Sequence, residues 1–144
     1  MLERFRLELQ RHKQRPFLEA VAAACALVAT ADGEVSFSER ARLDSVIESL
    51  SQLRLFDPHE VVDAFDEHVA RLAEDEKGAA SLLKAIVSGT RAEGAADLLL
   101  RISAAMSLAD GRDSADEHAV MEQICAALKL PETAVEDAYG AIKG

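Results

Sequence analysis

The chain has 144 residues, 49% of them apolar and only 4% aromatic, with no Trp, two Cys, three Pro and seven Gly. That length suits one domain with a real core, and a core built from Ala, Leu, Val and Ile with so few chain breakers favours packed helices over a many-stranded sheet. The formal net charge of −10 repels phosphate backbones, so nucleic acid is a poor partner and cationic proteins or metal ions are better ones.

The first 16 residues are a basic exception. Arg4, Arg6, Arg11, Lys13 and Arg15 outnumber Glu3 and Glu8 there, giving +3, and the remaining 11 basic and 24 acidic side chains give −13. Leu2, Phe5 and Leu9 predict a helix over 3–13. Its basic residues, spread over 4–15, could touch an anionic membrane surface or an acidic partner, although the pull of +3 is modest. Pro16 predicts a break, and residues 17–31 then read as a helix that is apolar nearly all round, which places it centrally. Its longest apolar run, Ala20 to Ala29, is shorter than the roughly 20 residues needed to span a bilayer. The basic start has no signal-peptide core, so the expected location is cytoplasmic.

After Asp32-Gly33, the stripe Leu43, Val46, Ile47, Leu50 predicts a helix over 37–51. Asp57-Pro58 opens the next, 58–74, with its stripe Val61, Phe65, Val69, Leu72. A helix over 76–90 follows, and Gly89 to Gly94 form a turn between two halves. The helix over 94–109 is the second segment apolar on all sides, from Leu98. Asp110-Gly111 ends it, a helix over 115–128 follows, and beyond Pro131 the stripe Val135, Ala138, Tyr139, Ile142 predicts a helix over 132–142. The expectation is an all-α bundle of about seven to eight helices forming one domain, residues 1–144.

Two stretches of this domain repeat, 17–73 and 95–142. The ten residues ending at Gly33 match the ten ending at Gly111, an offset of 78 that also pairs Glu39 with Glu117, Leu43 with Met121 and Leu50 with Leu128. After a four-residue difference in the loop, Val61 to Phe65 pairs with Val135 to Tyr139. Each unit reads as buried helix, acidic turn, amphipathic helix, short helix.

Both acidic turns have the form Ala-Asp-Gly, five residues, Glu. Helix ending and starting accounts for most of it. Gly33 and Gly111 suit the left-handed residue that closes a helix, and Ser36-x-x-Glu39 and Ser114-x-x-Glu117 are capping boxes. Capping does not require Asp32 or Asp110. The same spacing is the second half of an EF-hand loop, but positions 1 and 3 would be Val28 and Thr30, then Met106 and Leu108, so neither turn is an EF-hand. Calcium takes about six to eight oxygens, more than one turn supplies. Asp32, Glu39, Asp110 and Glu117 could together hold a divalent cation (calcium, magnesium or zinc) if the fold brings the turns close, with Asp113 and Asp116 as second-choice ligands.

The stretch Phe17 to Arg40, with its Ala-Asp-Gly-Glu-Val-Ser-Phe-Ser-Glu core, closely resembles the first motif of the TerB tellurite-resistance proteins, and Ala104 to Asp137 resembles their second. The resemblance covers nearly the whole chain. It implies an all-α, pseudo-two-fold bundle, also similar to the amino-terminal region of a membrane-anchored DnaJ-like co-chaperone. It further implies a role in resisting tellurite and other stresses, metal binding through acidic residues, and assembly with protein partners near the inner face of the membrane. By position, Asp32, Glu39, Asp110 and Glu117 match those acidic residues. The chain departs from the pattern at Lys129, where many relatives have Gly.

Catalytic signatures are missing. His12, His59, His68 and His118 lack metal-protease spacing and read as surface residues. Cys25 and Cys125 sit in apolar helical patterns as reduced, buried thiols, and no phosphate-binding or dinucleotide loop occurs. The expected function is therefore a non-enzymatic stress-response module that binds a divalent ion and docks protein partners. The alternatives are a purely structural interaction adaptor without metal and, less favoured, an oxyanion reductase.

Overall fold

The computed structural model describes residues 2–31, 41, 58–74, 77–92, 94–107 and 115–143. Among them are six helices and no strand: α1 (Leu2–Ala29), α2 (Pro58–Glu74), α3 (Gly78–Gly89), α4 (Ala95–Ser107), α5 (Ala115–Ala127) and α6 (Thr133–Lys143). The expectation of an all-α bundle holds, and the helices expected from 58 onward lie within about two residues of their predicted ends.

The number of helices differs from the seven to eight expected, for two reasons. The helix predicted over 37–51 lies outside the described residues, except for Ala41, which is helical. The two predicted over 3–13 and 17–31 are one continuous helix, α1, with Pro16 inside it. A proline in a helix interior removes a hydrogen bond and crowds the preceding turn, costing about 3 kcal/mol. What offsets it here is the packing of the stretch that follows: Leu18 and every residue from Ala20 to Ala29 are buried.

Small side chains let neighbours approach that run closely. A Cβ placed on Gly89, the last residue of α3, would lie 2.1 Å from the Pro16 carbonyl oxygen and 2.6 Å from the Ala20 Cβ. Only the absence of a side chain permits this crossing of α1 and α3. Helix α1 packs most extensively on α3, then on α2 and α4, while α4 in turn carries α6. The two segments read as apolar all round are thus the two axes of the bundle, with Leu99, Leu100 and Ile102 to Ser107 buried on α4. Phe65 from α2, Leu82 and Ile86 from α3, and Met121 and Ile124 from α5 fill the space around them.

Helix α5 ends in a Schellman arrangement. The Leu130 N–H donates to the Cys125 carbonyl and the Lys129 N–H to the Ala126 carbonyl, each at 3.1 Å. Lys129 takes the left-handed conformation this requires, with φ of 58°. A glycine would adopt it without a Cβ penalty. No helix among the described residues is long and apolar enough to cross a membrane.

Candidate functional site

Of the six candidate metal ligands, Asp32, Glu39, Asp110 and Asp113 lie outside the described residues. Asp116 and Glu117 stand in the first turn of α5, where an acidic side chain is favoured by the helix dipole. Asp116 is exposed and Glu117 is buried, at 4% exposure. Among the described residues, no group of three or more His, Cys, Asp or Glu side chains is arranged to hold a metal ion.

Glu117 reaches into the bundle because α5 starts against the end of α4. Ser107, the last residue of α4, donates its hydroxyl to Glu117 Oε2 at 3.1 Å. Tyr139 from α6 donates its own hydroxyl to Ser107 Oγ at 2.7 Å. The serine accepts one hydrogen bond and donates one, so the Tyr139–Ser107–Glu117 chain has a fixed direction and joins three helices in the interior. Tyr139 also carries the His118 ring, with centroids 5.1 Å apart.

The partners of Glu117 escaped the sequence reading, yet the repeat contains their signal. At the offset of 78, Ser107 stands where the first unit has Ala29, and beyond the four-residue loop difference Tyr139 pairs with Phe65. Two apolar positions of one unit have gained hydroxyls in the other, a pattern that points to a buried hydrogen bond. Ala29 and Phe65 are both fully buried, so the first unit cannot make the same chain with these residues.

Beside this network lies a cleft of about 530 Å³ between α5 and the start of α6. His118, Glu122 and Cys125 line it from α5, at a spacing that places them on one helix face, and Glu132, Val135 and Glu136 line it from the other side. The Cys125 thiol points at the Pro131 carbonyl, 3.3 Å away. Burial, then the charges of Glu122 and Glu132, raise its pKa above the ordinary thiol value. Burial alone pushes the Cys25 thiol up to about 12. Both cysteines are free and buried, as expected. The thiolate is the reactive form, so neither is prepared as a nucleophile.

Among the described histidine side chains, which leave out His12, one departs from expectation. His68 is not a surface residue: it is 8% exposed, and its Nε2 lies 3.4 Å from Glu19 Oε2 on α1. It sits three residues after Phe65 and seven after Val61, on the inward stripe of α2, so the periodicity that located the core also locates it. His59 is exposed and His118 half-buried in the cleft wall.

Comparison with known proteins agrees with this architecture. Residues 18–139 match the family described as tellurite resistance protein TerB. The tellurium resistance protein TerB of an Alcaligenes species is 30% identical over 96 residues, covering 66% of this chain and 79% of that protein. No solved structure matches. The matched stretch takes in every buried core residue among those described, from Leu18 to Tyr139. The chain belongs to the TerB family of tellurite-resistance proteins, a family of resistance proteins and not of enzymes.

Proposed function

We propose that this chain is a non-catalytic stress-response adaptor, a helical scaffold that docks other proteins and takes part in resistance to tellurite or related chemical stress. The stress setting is drawn from the family and from the name of the Alcaligenes relative. The observation that favours an adaptor over an ion-binding module is Glu117. Its carboxylate is buried and accepts the Ser107 hydroxyl, whereas a bidentate calcium ligand turns both oxygens to the ion. One oxygen of this carboxylate is already engaged with the fold.

The rival reading keeps Asp32, Glu39, Asp110 and Glu117 as a joint divalent-cation site, motivated by the duplicated Asp that capping leaves unexplained. Oxyanion reduction is disfavoured by the two thiols, whose pKa values are both raised. Contact with an anionic membrane surface through basic residues 4–15 is compatible with either of the first two readings.

Titration of metal-free protein with calcium, magnesium and zinc decides between adaptor and ion-binding module, followed by calorimetry and by thermal melting. The adaptor reading expects no saturable heat and the same melting temperature with and without ion, in the wild type and in Asp32→Asn/Asp110→Asn alike. An ion that binds only the folded state must stabilise it. A rise in the wild type that the double variant loses would therefore replace the adaptor with the ion-binding module.

A further inference from the structure

We propose that the cleft between α5 and α6 is a docking site for an arginine or lysine side chain carried on a basic segment of a partner protein. Three carboxylates stand at the cleft: Glu122 on α5, and Glu132 and Glu136 at the start of α6. All three are exposed. Among the described side chains, which leave out those of residues 2–15 and 141–143, no Lys or Arg forms an ion pair with any of them. Lys129, close by in sequence, does not line the cleft. The site therefore holds negative charge that the described side chains do not neutralise.

The floor of the cleft is apolar, built from Ala126, Leu130, Val135 and the protonated Cys125 thiol. An acidic rim over an apolar floor suits a long basic side chain, whose methylene stem lies on apolar surface while its charged head reaches carboxylates. Arginine fits better than lysine. Its planar fork can engage two carboxylates or one in bidentate fashion, and it stays charged throughout. A bare metal ion fits less well, because the carboxylates border a cleft of about 530 Å³ and no ligand group of three converges among the described residues.

The proposal rests on the adaptor reading only in taking the occupant to be part of a protein. Its test uses the full chain and a fluorescein-labelled peptide of alternating Arg and Ala, with a citrulline-for-Arg peptide as the uncharged control, read by anisotropy. Binding by the wild type should weaken at least about tenfold in Glu122→Gln/Glu132→Gln/Glu136→Gln and less than about twofold in Asp63→Asn/Glu67→Gln/Glu74→Gln. The second triple removes as much charge from exposed positions elsewhere. The single variant Glu132→Lys should also lose binding, and circular dichroism checks that each variant is folded. The citrulline peptide should not bind.

Equal weakening in both triples, or no binding by the wild type, overturns the proposal. So does zinc or calcium binding that the cleft triple abolishes, since the cleft would then be an ion site. Ion binding that depends on Asp32 and Asp110 instead defeats the adaptor reading and leaves the peptide result to stand or fall separately.

Discussion

A single backbone angle at Lys129 carries a measurable cost. For a residue with a Cβ, the left-handed conformation costs about 1–2 kcal/mol, and Lys129 adopts it to close α5. Its carbonyl-capping pattern through Cys125 and Ala126 is made by backbone atoms alone, so glycine keeps every hydrogen bond and removes the strain. Lys129→Gly should stabilise the protein by about 1 kcal/mol, less whatever glycine's greater freedom in the unfolded chain returns. That corresponds to a rise of about 2–4 °C in melting temperature for a domain of this size. A fall would show that the lysine side chain makes a contribution of its own. The left-handed Lys129 is thus a tolerated strain that leaves the α5 end intact.

Between elements, the Tyr139–Ser107–Glu117 chain ties α4, α5 and α6 through side chains rather than through apolar contact. Removing its outer member should be mild. Tyr139→Phe loses one hydrogen bond, worth about 0.5–1.5 kcal/mol, and leaves Ser107 able to donate to Glu117. Ser107→Ala removes a partner from both neighbours at once, including a buried carboxylate, and should cost more, about 2–3 kcal/mol. Urea unfolding of the two single variants and the double variant measures the coupling. Because both changes act through Ser107, the double variant should cost less than the two singles together. Simple additivity would mean that the two hydrogen bonds act independently, and the chain would not be a unit. In the double variant, these positions become the Ala and Phe of the first repeat unit, so the experiment also asks how far the two units can be interchanged.

For the whole molecule, charge is the dominant long-range term. The chain as a whole stands at −10, and residues 17–144 alone at −13. Like charge on a folded body opposes compaction, and salt shortens its reach from about 30 Å at 0.01 M to about 3 Å at 1 M. The urea midpoint should therefore rise as potassium chloride is raised across that range. A midpoint that stays level or falls would show that the acidic residues are locally compensated in the fold.

Much of this molecule is legible in its sequence. Helical periodicity and an almost exclusively aliphatic core located five helices closely and marked α1 and α4 as its axes, because a segment without a polar face can only be stable inside. The family was legible from the motifs around the acidic turns. Pro16 was misread because local propensity sees the lost hydrogen bond and not the dense packing of the ten residues from Ala20 to Ala29 that outweighs it. His68 was misread because its residue type was weighed without its place on the stripe of α2. For Glu117, the capping pattern locates the residue at a helix start, but the direction of its carboxylate depends on Ser107 ten residues before it and Tyr139 twenty-two after it. The α5–α6 cleft has the same origin, since Glu122 and Glu136 meet only when two helices fold back on each other. Periodicity is a property of neighbours along the chain and can be read from it, whereas a buried hydrogen-bond chain and an acidic cleft are made by residues distant in sequence, and only tertiary packing brings them within reach.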